Sequence, residues 1–73
     1  MAKHNIESEV TGNVWKVLLE PGATVAEGDV IMILESMKME IPVEATVDGT
    51  LVEVLVVPED QVEEDQVVAV IES

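Results

Sequence analysis

Lys38 stands between two methionines in the run Glu35-Ser36-Met37-Lys38-Met39-Glu40. Lysine offers a long flexible stem and, once deprotonated, a nucleophilic amine. Glu35 and Glu40 lie close in sequence and favour the charged ammonium. That is wrong for a self-activating nucleophile, so an outside enzyme has to remove the proton. Lys38 therefore reads as a residue that is acted upon. No catalytic constellation competes with it. His4 is the only histidine and lies in a polar start that reads as frayed or as a first short strand; it reads as a bystander. The acids lack the Asp-x-Asp-x-Asp-Gly spacing of a metal loop. Gly12, Gly22, Gly28 and Gly49 are isolated glycines without phosphate-cradling spacing.

The elements that must position Lys38 follow from an internal repeat, which fixes architecture before any local reading. Shifted by 37 positions, Thr11–Ser36 lies on Asp48–Ser73 without a gap. Nine of the 26 pairs are identical: Gly12/Gly49, Val17/Val54, Leu18/Leu55, Pro21/Pro58, Val25/Val62, Glu27/Glu64, Val30/Val67, Glu35/Glu72 and Ser36/Ser73. The first copy ends at Ser36, and the unpaired Met37-Lys38-Met39 follows at once.

Within each copy, Val14 and Val17 are spaced by three, as are Leu51 and Val54. Strict alternation would space inward residues by two, so a strand here needs a bulge. Val14, Val17 and Leu19 read as inward, and so do Leu51, Val54 and Val56. A helix fails on length, because Pro21-Gly22 follows immediately. Pro21-Gly22-Ala23-Thr24 and Ala26-Glu27-Gly28-Asp29 are turn signals, and Asp48-Gly49 is another. Short Val- and Ile-rich strands between frequent turns predict an all-β sandwich or barrel. The expectation is one domain over residues 1–73, with repeat halves at about 11–36 and 48–73 and a hairpin tip at 36–39.

A hairpin between Val30–Glu35 and Ile41–Val47 has to turn within Ser36-Met37-Lys38-Met39. Tight hairpins favour Asn-Gly or Asp-Gly, because their central residues need positive φ. Neither glycine nor asparagine is present. Two apolar side chains also sit where an exposed tip is expected. The plain alternative is that both methionines fill the core and Lys38 is merely solvated, since Met is a common gap filler. The repeat weighs against it, because neither copy provides a pairing partner for Met37. A broken local rule of this kind marks a functional tip.

The chain has 73 residues, one Trp, no Phe, no Tyr and no Cys. Its core must be aliphatic, with no disulfide or thiolate metal site to support it. Net charge is −13, with three lysines and no arginine. That argues against nucleic acid and anionic membrane, which both require basic patches. The acid favours solubility and resists self-association; a salt-rich cell interior or a basic partner surface are the alternatives. No apolar run approaches the ~20 residues that span a membrane. Met1-Ala2-Lys3-His4 lacks the apolar stretch of a signal peptide. A cytoplasmic protein, monomeric on its own, is the expectation.

Glu35-Ser36-Met37-Lys38-Met39, preceded by Gly22-Ala23-Thr24-Val25-Ala26-Glu27-Gly28-Asp29-Val30-Ile31 and followed by Ala45 and Gly49, resembles a biotinyl domain of the biotin/lipoyl attachment family. The resemblance covers about residues 10–73. It implies a flattened barrel of two four-stranded antiparallel sheets with quasi-twofold symmetry. It implies that Lys38 is the modified lysine, carrying covalent biotin, with Glu35, Ser36, Met37 and Met39 as recognition residues. Methionine on both sides resembles the biotinylated branch, since lipoyl domains usually have Asp before the lysine and Ala or Val after it. The gapless repeat resembles the thumbless form. The span from Met1 to Ser73 resembles the small free-standing biotinylated proteins.

The partners so implied are a biotin protein ligase acting through biotinyl-adenylate, a biotin carboxylase and a carboxyltransferase. A lipoyl carrier, a dual acceptor and an unmodified partner-binding β-domain are the rival readings. Two departures stand out. The family usually has glycine where this chain has Glu59 and Asp65. Either the turns differ there or those residues are strained.

Overall fold

The computed structural model describes residues 2–73. Eight strands form: β1 Lys3–Glu7, β2 Gly12–Val17, β3 Thr24–Val25, β4 Val30–Ser36, β5 Met39–Glu44, β6 Gly49–Val54, β7 Gln61–Val62 and β8 Val67–Glu72. They build two four-stranded sheets, ordered β1-β8-β6-β3 and β5-β4-β2-β7, with every pairing antiparallel. Advancing each strand by four carries the first order onto the second. The sequence repeat is therefore a twofold relation between the sheets, and each copy contributes strands to both.

The irregular spacing has its predicted cause. The β2–β4 register shifts between Val14 and Lys16, and the β6–β8 register shifts between Leu51 and Glu53. Trp15 and its equivalent Val52 are the extra residues. Val14 and Leu51 are buried, while Val17 and Val54 pack against the core half-buried. A second pair of shifts falls around Ile31 in the β4–β5 pairing and around Val68 in the β1–β8 pairing. A bulge lets neighbouring residues face the same side. Ile31 with Met32, and Val68 with Ala69, are accordingly buried together. The core is aliphatic throughout, and each fully buried methylene contributes about 0.8 kcal/mol.

Among the described residues the polar start is a strand and not a frayed end. Residues 3–7 form β1 along β8, and Ile6 is a core residue. Ser8 is buried too, its hydroxyl donating to the Val10 carbonyl at 2.6 Å. A buried hydroxyl so paired avoids the desolvation penalty of an unmet donor. The repeat thus runs further than identical letters show. Ile6 and Ser8 occupy the places of Val43 and Ala45, and β1 occupies the place of β5. His4 lies in β1 with Nε2 2.9 Å from the Ser73 hydroxyl, so it ties the first strand to the chain's last residue.

The two missing glycines leave strain, not altered turns. Gly22 and Gly28 have φ of 100° and 94°, and their equivalents Glu59 and Asp65 have φ of 78° and 71°. The second-copy turns are also capped by side chains. The Asp60 carboxylate accepts from the Val57 N–H, and the Gln66 amide oxygen accepts from the Glu63 N–H, both at 2.9 Å. A left-handed non-glycine residue costs roughly 1–2 kcal/mol, of which glycine's extra unfolded freedom returns part. Glu59→Gly is therefore expected to stabilise the chain by about 0.5–1 kcal/mol. The urea midpoint of the two proteins checks this, and a lower midpoint for the variant contradicts it.

Candidate functional site

β4 and β5 form a hairpin whose rungs toward the turn are Leu34 opposite Ile41, Glu35 opposite Glu40 and Ser36 opposite Met39. Only Met37 and Lys38 remain to reverse the chain. Their φ angles are 51° and 65°, both left-handed. This is the two-residue turn whose twist matches that of the flanking strands. Neither residue is the glycine or asparagine that such a turn favours. The strain of the left-handed region is thus stored at two consecutive residues, one of them the lysine.

The hairpin extends past the core. Leu34 is its last fully buried residue. Beyond it, Met37 is 92% exposed and Met39 61% exposed. The core-filling alternative for these methionines is therefore excluded; among the described residues, Met32 is the methionine that packs inside. Lys38 is exposed, as are Glu35 and Glu40. The two glutamates face each other across one rung, an arrangement of like charges that does not stabilise a hairpin by itself.

The base of the tip is fixed by β2. The half-buried Ser36 donates its hydroxyl to the Thr11 carbonyl at 2.9 Å. Gly12 lies against the same place. A Cβ there would press on the Glu35 carbonyl oxygen and come within 3.2 Å of the Ser36 Cβ. Glycine is required because the β2 backbone passes so close beneath the tip. Thr11 and Gly12 are the supporting residues that sequence reasoning missed. The available signal was Gly12/Gly49, one of the identical repeat pairs, since Gly49 meets the Glu72 carbonyl in the same way.

The site is convex. A groove of about 590 Å³ lies between β1 and β5, where Ile6, Leu34 and Val43 meet Glu7 and Glu44. Met37, Lys38 and Met39 do not line it. Among the described residues no cluster of three or more His, Cys, Asp or Glu could hold a metal ion. Reactions catalysed by a domain itself usually take place in a concave, partly apolar pocket. Here the amine is presented outward on a braced turn. That arrangement leaves Nζ open to a partner's approach. An acyl group could form an amide with Lys38 Nζ without displacing any part of the core.

Comparisons with known proteins identify the family and match the fold. Residues 4–73 match the family model described as biotin-requiring enzyme. A biotinylated protein TB7.3 homolog of Mycobacterium leprae is 39% identical over 67 residues, covering 92% of this chain and 94% of the relative. A biotin/lipoyl attachment protein of Bacillus subtilis is 42% identical over 48 residues, covering 66% of each. Among solved structures, the Kluyveromyces lactis urea carboxylase contains a region that superimposes with a TM-score of 0.94 at 38% identity. That match covers 99% of this chain and 6% of the carboxylase.

Proposed function

The chain belongs to the biotin/lipoyl attachment family, as a biotinyl domain whose cofactor is covalent biotin, and from that premise we propose that it is a carboxyl carrier loaded at Lys38. The observation that carries this assignment is the turn itself. Lys38 is an exposed lysine on a two-residue left-handed turn, past the last core residue and braced by Ser36 and Gly12.

A biotin protein ligase removes an Nζ proton, and Nζ attacks the carbonyl of biotinyl-adenylate, forming the amide as the acyl–phosphate bond breaks and AMP leaves. The chain's contribution is presentation. Ser36 and Gly12 hold the base of the turn, and the strained turn fixes the direction in which the stem leaves. Once bound, biotin supplies a ring nitrogen that accepts and releases a carboxyl group. The lysine stem then serves as the root of a flexible arm, which raises the effective concentration of that ring at a biotin carboxylase and a carboxyltransferase. Met37 and Met39 offer apolar contact to those partners, and Glu35 and Glu40 offer carboxylates.

The test is co-expression with a biotin protein ligase, followed by intact mass. One biotinyl group per chain is expected. A chain that stays unmodified, or one that takes lipoate in preference when lipoate ligase is also supplied, contradicts the assignment.

A further inference from the structure

The sulfur atoms of this chain are distributed in an uneven way. It has four methionines and no cysteine, so the thioethers are its only sulfur groups. Met32 is 0% exposed, whereas Met37 and Met39 are 92% and 61% exposed. Met1 lies outside the described residues. Among the described residues, the sulfurs open to solvent are therefore the two that flank Lys38.

We propose that Met37 and Met39 form a reversible oxidation site for peroxides, and that oxidation of this pair slows the loading of Lys38. The effect on loading rests on the carrier reading given above; the oxidation does not. Peroxide transfers one oxygen to the thioether sulfur as its O–O bond breaks. The sulfur loses two electrons and becomes a sulfoxide, and the second oxygen leaves as water with both hydrogens. Access to the sulfur lone pair decides which methionine reacts, and the core withholds Met32. No thiol in the chain competes for the oxidant.

The product is different in kind from the thioether. Sulfoxide is polar and accepts hydrogen bonds, and reductases return it to methionine. The hairpin core ends at Leu34, so oxidation at the tip leaves the fold intact. The change falls on the contact between tip and ligase, where burying an unmatched polar oxygen opposes association. Leucine in place of each methionine keeps the apolar surface and cannot be oxidised in this way.

The experiment uses the full chain, exposed to limiting hydrogen peroxide that is removed before ligase is added. Peptide mapping is expected to find the added oxygen at Met37 and Met39 while Met32 stays unmodified. The initial rate of biotin incorporation at limiting ligase is expected to fall about tenfold. Methionine sulfoxide reductase is expected to restore it. The Met37→Leu/Met39→Leu chain is expected to load at the same rate with or without peroxide.

Oxidation of Met32 as fast as Met37 overturns the site. Loading of the oxidised chain at the untreated rate, or equal slowing of the double leucine variant, overturns its effect. An untreated chain that takes up no biotin overturns the carrier reading and the effect on loading together, while the mapping still decides the oxidation site.

Discussion

Lys38→Ala is expected to take up no biotin under conditions that label the wild-type chain fully. The chain offers two other lysines, and neither shares the geometry. Lys3 sits within β1, opposite Glu72 on the neighbouring strand. Lys16 lies in β2 with its Nζ 4.4 Å from the centroid of the Trp15 ring. Both leave from extended backbone on a sheet, and neither is flanked by methionine. A ligase that approaches a projecting turn has no equivalent target once Lys38 is gone. The variant should remain as stable as the wild type within about ±0.5 kcal/mol, because an exposed side chain at a tip makes few contacts. An avidin blot and a urea midpoint on the same preparation check both parts. Full labelling of the variant assigns the biotin elsewhere, and a large loss of stability makes the lysine a structural residue.

The second large effect is expected from exchanging two neighbours, Met37→Lys with Lys38→Met. The exchange keeps every residue type in the segment and moves the amine by one position. Met37 and Lys38 occupy consecutive left-handed positions, at φ 51° and 65°. Consecutive residues of a two-residue turn send their side chains in different directions. The amine of the exchanged chain therefore leaves the turn along a different line. Amide formation needs near-contact geometry, and a displacement of ~1 Å can cost about a hundredfold in rate. A loss of that order in the initial rate of biotin incorporation at limiting ligase is expected, with an unchanged circular dichroism spectrum. Labelling of the exchanged chain at the wild-type rate means that the ligase reads a flexible peptide, and the braced-turn argument then fails.

Much of the fold was legible in the sequence because its irregularities occur twice. One departure from alternation at Val14 and Val17 is ambiguous. The same departure at Leu51 and Val54 pointed to a built-in bulge, and the register shifts lie there. Pro21-Gly22 and Glu27-Gly28 marked turns through chemistry that acts locally. Ile6 was not legible, because one apolar residue among polar neighbours has no periodicity of its own. It is buried only because β8 is present to pair with β1. The left-handed Glu59 and Asp65 were legible only as alternatives, since a strained residue and a changed turn look the same in letters.

At the tip, the sequence showed a lysine between two methionines without turn-forming chemistry. Local propensity alone does not decide what such a segment does. The pairing of β4 with β5 decides it, by leaving only Met37 and Lys38 to reverse the chain, and both take the left-handed conformation. Support from Thr11 and Gly12 was hidden for a similar reason. Both lie more than twenty positions from the tip in sequence and meet it only because β2 pairs with β4.

The most direct test of the central claim is a peptide map of the protein purified from its own cell, without added ligase. Biotin is expected on the peptide that contains Lys38, with Lys3 and Lys16 free. Lipoate on Lys38, a free Lys38 amine throughout, or biotin on another lysine contradicts it.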